Sequence, residues 1–421
     1  MGNVFIIMHN SNRKEKILQF GSGNFLRGFI EPYIQKMNEL GYFDGSVVIV
    51  KPTPIGTIEQ LNNQNGKYTL FIRGLSNYRE IKERIDINII SRAVNPYSNF
   101  KEFINLSKNP DLRFIISNTT ESGYELFEKD SLHSKPAQSF PGKLLQLLYE
   151  RYKLNLKGFI VLPCELIHKN GLKLKELMFQ LSFKWGLEED FRIWLEEENL
   201  FVNTLVDRIV TGFPKDEYES LRREIDFEDK LMNVAEVYNL WVIESNLEHE
   251  LPLQKSGINV IWTKDIQLYE QRKVRILNGA HILLVTFALV KGYVEVRASL
   301  LDNEIRNKIE MILKEEIIPS LNMPEDDLLE YMSVVIERFL NPFIHHKLTS
   351  IALNAYDKFK VRIIPSILSY HHKYEKYPKG LMESFDALFE LYHTDLCQDT
   401  PEKIAYIRNH TKEEVFKALC E

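Results

Sequence analysis

The sequence predicts an α/β protein in which a doubly wound, mostly parallel sheet is followed by a mainly helical C-terminal domain. Three observations carry this prediction. A strand, a glycine turn, a helix and a second strand fall within about 35 residues near the start. Further strand-like runs alternate with helical patterns until about residue 262. Beyond about residue 265 strand-like runs become scarce and helical patterns dominate to the C-terminus.

Residues 16–20 (KILQF) read as a short buried strand, and Gly21-Ser22-Gly23 follows. Phe25, Phe29, Tyr33 and Met37 then recur every four residues, with Leu26, Ile30 and Ile34 beside them. That is the spacing of an amphipathic helix. Gly45 punctuates, and residues 46–50 (SVVIV) form a second strand rich in β-branched residues. The connection in such a βαβ unit is right-handed. Strand-like runs recur at 68–72 (YTLFI), 87–90, 113–117 (RFIIS) and 158–162 (GFIVL). Helices are predicted over 267–291, 302–316, 326–340, 344–357 and 402–420. The expected division is a Rossmann-type dinucleotide-binding domain over 1–262 and a helical substrate domain over 263–421.

A chain of 421 residues suggests about two or three domains. Its net charge of −6 gives no support for nucleic-acid or membrane-surface binding. Cys164, Cys397 and Cys420 are few and far apart, which fits a reducing cytosol and no disulfide framework. The first residues contain only a short apolar run, so a secretory signal is not expected. No uninterrupted apolar stretch approaches about 18 residues, so no transmembrane helix is expected. A cytoplasmic enzyme acting on a small molecule is the expectation; nothing bears on oligomeric state.

Gly21-Ser22-Gly23 lies between a strand and a helix, where a dinucleotide pyrophosphate binds. Glycines let the backbone turn tightly, and the helix N-terminus offers free N–H groups and the positive end of its dipole. The third position of the usual GxGxxG is Leu26, and a glycine comes only at Gly28, so the motif alone is also compatible with a plain turn. The expected cofactor contacts are Phe20, Gly21, Ser22, Gly23, Asn24 and Phe25. The acid that usually meets the ribose after the second strand is absent. Lys51 stands there and tolerates a 2′-phosphate, leaving NAD against NADP open. Asn118, Thr119 and Glu121 follow the strand at 113–117, at the crevice edge of such a sheet; an Asx or ST turn is the simpler reading.

The segment Lys273 to His281 is the most informative. On an α-helix Asn278 lies roughly 140° and His281 roughly 80° around from Lys273, so the three share one broad face. Asn278 and His281 are i, i+3 neighbours. A ketone that gains a hydride develops negative charge on its oxygen. Asn278 and His281 can hold that oxygen by hydrogen bonds, and the Lys273 ammonium can deliver the proton. By spacing alone an ordinary helix also accounts for the segment, with solvated cations, an Asn-Gly packing notch and a core histidine.

Several segments follow one another in order: QFGSGNFLRGF (19–29), SNTTESG (117–123), LPCELIHKNG (162–171), NTLVDRIVTGFP (203–214), RKVRILNGAH (272–281) and ERFLNPFIHHKLTSIALNAYDKFKVRIIP (337–365). Over nearly the whole chain they resemble the mannitol dehydrogenase family of long-chain polyol and sugar-acid dehydrogenases. PCELI, LVDRIVTGFP and the SIALN–KF–R–P pattern point to its sugar-acid branch. The resemblance implies a Rossmann-type domain, a helical C-terminal domain, NAD as cofactor and no catalytic metal. It places Lys273 as general acid/base and sets Asn278 and His281 on the substrate oxygen. Leu166 stands where the polyol branch has an asparagine, and Ser350 where it has a substrate arginine, so the substrate differs from mannitol. Lys358 matches a basic substrate contact. A sugar acid carries a carboxylate, whose partner is sought among Lys358, Arg362, His345 and His346. The resemblance makes Asn118 and Thr119 cofactor contacts and Glu121 and Asp207 further substrate candidates, Asp207 alternatively pairing with Arg208. A non-catalytic nicotinamide-binding sensor is the alternative of a different class.

Overall fold

The computed structural model describes residues 13–56 and 58–421. They form two compact units. One runs to Arg73 and resumes over Lys82–Ile266; the other joins Gly74–Ile81 to Gln267–Glu421.

Six strands centre the first unit: β1 (Glu15–Phe20), β2 (Ser46–Val50), β3 (Ile90–Val94), β4 (Phe114–Ser117), β5 (Ile160–Pro163) and β6 (Leu200–Phe201). All pair in parallel, in the order β3-β2-β1-β4-β5-β6. This is the strand order of dinucleotide-binding sheets. A parallel sheet is covered on both faces, so its strands read as continuous apolar runs. Alternate side chains separate into two cores. Ile17, Val47, Ile49, Phe114 and Ile116 pack on one face, and Leu18, Phe20, Val48, Val50 and Ile115 on the other. The first core is closed by α1 (Asn24–Glu39) through Leu26, Phe29, Ile30, Tyr33, Ile34 and Met37. The second is closed by α2 (Phe140–Lys153), α3 (Asn170–Lys184) and α4 (Glu189–Glu197).

The helices start in different ways. At α2 the Ser139 hydroxyl accepts from the Gly142 N–H at 3.0 Å and Pro141 sits in the first turn. At α1 the N-cap is Gly23, which has no side chain to cap with, so its first N–H groups stay available. Pro32 inside α1 cannot donate to the Gly28 carbonyl. Arg208 Nη1 donates to that carbonyl instead, at 2.9 Å.

Two of the predicted strands differ from expectation. Tyr68–Ser76 is a strand, but it belongs to a separate four-stranded sheet with Arg79–Ile87, Asn233–Ala235 and Val210–Gly212. Asn77 and Tyr78, both at positive φ, turn Tyr68–Ser76 back into Arg79–Ile87. The apolar run at 87–90 is not one strand. It joins the end of Arg79–Ile87 to the start of β3. A third sheet orders Val260–Trp262, Leu240–Ile243 and Thr204–Asp207.

The second unit is helical. Its core element, α5, is the 25-residue helical run Gln267–Lys291, long and apolar enough to cross a membrane by length and composition. Lys273, Arg275, Asn278 and His281 interrupt its apolar sequence, which is why a search for an unbroken apolar stretch passes over it. It is nonetheless mostly buried: Ile276, Ala280, Ile282, Leu283, Leu284, Val285 and Ala288 are fully enclosed. The helix expected over 344–357 is two pieces, Leu348–Ala352 and α6 (Ala355–Arg362), separated at Asn354 in a left-handed conformation. The helix expected over 402–420 also divides, into Pro401–Asn409 and Lys412–Cys420. Thr411 and Glu414 form a capping box that starts the second piece, with the Thr411 N–H donating to Glu414 at 2.8 Å.

Candidate active site

Phe20 pairs with Val50 and with Ser117, and Ser117 with Pro163. The carboxyl ends of β1, β2, β4 and β5 are therefore level. Gly21, Lys51, Asn118 and Cys164 each stand one residue beyond, along one edge. Strand order reverses between β1 and β4, and ligands of such sheets bind in the crevice at that point.

Gly21 has φ of +124°, and a Cβ there would stand 3.0 Å from the Asn118 carbonyl oxygen. Both facts demand glycine. The Gly21 N–H donates to the Val50 carbonyl at 3.1 Å, fixing the turn. A Cβ on Gly23 would meet nothing within 4 Å. Ser22, Gly23 and Asn24 lie at the surface in front of the uncapped α1. This hollow suits a pyrophosphate, with the helix N–H groups facing it. Leu26 packs in the core. The close approach expected of the third glycine falls to Gly28, where a Cβ would lie 2.8 Å from a Val210 methyl. Phe20 is fully buried, with its ring 5.0 Å from Phe140. Phe25 stacks on Phe29 at 5.1 Å.

Lys51 is buried, and its ammonium donates to the carbonyls of Pro54, at 3.1 Å, and Gly56. It closes its own loop. Asn118 donates its side-chain N–H to the Cys164 carbonyl at 2.8 Å. Thr119 gives both its N–H, at 2.9 Å, and its hydroxyl, at 3.0 Å, to Glu165. The Ser117 hydroxyl also donates to Glu165, at 3.0 Å, and the Tyr124 hydroxyl lies 3.4 Å from it. Glu165 is 2% exposed. Burial raises its pKa above the usual carboxylate value, against the hydrogen bonds that lower it. Sequence reading gave Glu165 no role. Thr120 follows with φ of +71°, a sparsely populated conformation for a non-glycine residue. The side chain of Glu121 lies outside the described residues. Asp207 is buried at the end of its strand. Arg208 donates to the carbonyls of Gly28 and Glu236.

In the second unit, Lys273–Asn278 is not α-helical. It is one turn of π-helix inside α5. A π-turn bonds i to i+5, so Lys273 and Asn278 lie closer to one line along the helix than the roughly 140° of an α-helix. From Gly279 the α-spacing resumes, which leaves His281 three residues on as a neighbour of Asn278. Lys273 and Asn278 are half-buried. His281 is 9% exposed, and among the described residues its Nε2 has no hydrogen-bond partner. Its ring stacks on Phe339 at 4.3 Å and meets the His346 ring edge-on at 4.8 Å. Buried polar atoms are normally paired, so this one is available to a ligand oxygen.

Burial holds the His281 pKa well below its ordinary value, and His346, Arg362, Arg338 and Lys358 add to the depression. The ring is neutral at neutral pH and can donate one N–H. Below pH about 6.5 the unfolded chain takes up a proton that the folded one refuses, so stability falls as pH drops. The expected slope is about 1.4 kcal/mol per pH unit from this group. Chemical denaturation of wild type and His281→Asn at pH 7.5 and 5.5 checks it; equal losses in the two proteins refute it.

The two adjacent histidines part company. His345 is exposed, with Nδ1 3.3 Å from Glu295, whereas His346 turns its ring to His281. Lys358 and Arg362 lie on α6. Lys358 donates to the Ile351 carbonyl at 2.9 Å, and Arg362 is half-buried.

Comparison with known proteins agrees with this architecture. Residues 15–255 match the mannitol dehydrogenase Rossmann domain and residues 265–402 the mannitol dehydrogenase C-terminal domain. The chain is 42% identical over 413 residues to an altronate oxidoreductase of Bacillus subtilis (strain 168), covering 96% of this chain and 86% of that protein. It is 39% identical over 411 residues to an altronate oxidoreductase of Bacteroides thetaiotaomicron, covering 95% and 86%. Among solved structures, a substrate-free D-sorbitol dehydrogenase superposes with TM-score 0.84 at 20% identity, covering 98% and 93% of the two chains. Pseudomonas fluorescens mannitol 2-dehydrogenase, in complex with NAD and D-mannitol, superposes with TM-score 0.74 at 20% identity, covering 98% and 85%.

Proposed function

The chain belongs to the mannitol dehydrogenase family, and from that premise we propose that it is a cytoplasmic NAD-dependent oxidoreductase interconverting D-tagaturonate and D-altronate. The observation that carries this reading is 42% identity, over nearly the whole chain, to a protein named altronate oxidoreductase. The residues fit the cofactor: Gly23 leaves open space in front of the uncapped α1, where even a Cβ would meet nothing within 4 Å. Bound NADH supplies the hydride. Lys273 delivers a proton to the carbonyl oxygen in reduction and takes it back from the alcohol in oxidation. The Asn278 amide and the neutral His281 ring donate to that oxygen as its charge grows. The π-turn supports these roles by bringing Lys273 and Asn278 closer to one line along α5 than an α-turn would.

NADH is the expected partner rather than NADPH, because Lys51 gives its ammonium to its own loop. The test is a panel of D-tagaturonate, D-fructuronate, D-mannitol and mannitol phosphate, each with NAD(H) and NADP(H). Tagaturonate with NADH should have the highest kcat/KM, by about tenfold or more. A higher value for fructuronate or for either polyol substrate would sink the assignment.

A further inference from the structure

Resting on the hexuronate reading above, we propose that Arg362, with Lys358 one turn before it on α6, anchors the substrate carboxylate. The two cations are four residues apart and so share one face of Ala355–Arg362. Like charges in that relation repel, and an anion bound between them relieves the repulsion. The acids of the neighbourhood have hydrogen-bond or ion-pair partners of their own, Asp399 also acting on Lys358 at longer range. Asp357 pairs with Lys403. Asp399 accepts from the Tyr392 hydroxyl at 2.6 Å and from the Thr400 N–H at 2.8 Å. Among the described residues the Arg362 guanidinium has no hydrogen bond or ion pair of its own, although it is half-buried. The dipole of α6 favours a cation in its last turn, which accounts for Arg362 alone and leaves the repulsion with Lys358 in place.

The end of α6 that carries Arg362 also packs against α5. The Arg362 carbonyl lies 3.8 Å, and an Ile363 methyl 3.6 Å, from where a Cβ on Gly279 would be. Gly279 directly follows Asn278, so this end of α6 packs against α5 within one turn of Asn278 and His281, although Gly279 itself faces about 160° away from His281. Both cations act on the His281 ring, and Lys358 acts on His346 as well. In a hexuronate three carbons separate the carbonyl from the carboxylate, so an oxygen held by Asn278 and His281 leaves the carboxylate within reach of a long side chain on α6. A planar guanidinium takes a carboxylate by two parallel hydrogen bonds, which an ammonium cannot do. Arg362 thereby separates a sugar acid from the neutral ketose of the same shape.

The experiment compares D-tagaturonate with D-tagatose, which carries a hydroxymethyl group in place of the carboxylate. In Arg362→Gln the ratio of kcat/KM for tagaturonate to that for tagatose should fall by about 10²-fold, mostly through KM. Arg362→Lys should recover part of it. Thermal unfolding of each variant is followed alongside. An unchanged ratio, or an equal fall on both ketoses, overturns the proposal. If wild type turns over no hexuronate, the reading of the previous section fails by itself. Calorimetry with D-altronate then decides this one: binding lost in Arg362→Gln supports it, and equal binding or none to either protein overturns it.

Discussion

Lys273→Ala is expected to lower kcat by about 10²-fold or more while NADH still binds. The alanine removes the ammonium that supplies the proton, and the hydride step then leaves an alkoxide with only two neutral donors beside it. Position 273 is half-buried and opens the π-turn, so truncation leaves the apolar side of α5, with Ile276, Ala280 and Leu283, intact. The loss should therefore appear in turnover and in the pH dependence of kcat, not in thermal stability. NADH titration by fluorescence and steady-state kinetics on tagaturonate separate the two. Near-normal turnover in the variant would remove Lys273 from the chemistry, and lost nucleotide binding would show a structural defect instead.

Glu165→Ala should destabilise the first unit by about 3 kcal/mol or more, because it orphans several buried donors at once. The Thr119 N–H, the Thr119 hydroxyl and the Ser117 hydroxyl all point to this one carboxyl, which is 2% exposed. A melting-temperature drop of roughly 6–12 °C follows for a domain of this size. The same change should weaken NADH binding, since Glu165 fixes the Asn118–Thr119 corner against which Gly21 turns. Glu165→Gln keeps an acceptor for Thr119, and the Ser117 hydroxyl can reverse to accept from the new amide, so its loss should be smaller. A melting temperature within about 1 °C of wild type for the alanine variant would show that these donors find other partners.

Much of the fold is legible because it is local. Residues 16–20 and 46–50 are apolar throughout, as strands covered on both faces must be, and Phe25 to Met37 carry helical spacing. The run at 68–72 is also a strand by its residues, yet nothing in them says that it leaves the main sheet. Pairing with Asn233–Ala235, far along the chain, settles that. Residues 87–90 mislead for the same reason: one apolar run serves the end of one strand and the start of another.

The site divides along the same line. The sequence by itself determined that Gly21 opens a helix after a strand, and that Lys273, Asn278 and His281 ride on one helix. Each is a statement about neighbours in the chain, where backbone geometry fixes distance. Only the tertiary structure decided that Gly21 abuts Asn118, that Glu165 gathers Ser117 and Thr119, and that His346 rather than His345 faces His281. It also turned Lys51 onto its own loop and wound 273–278 as a π-turn. Those outcomes depend on which surfaces meet across tens or hundreds of residues. Burial and hydrogen-bond satisfaction select among them, and neither is a property of any short stretch of sequence.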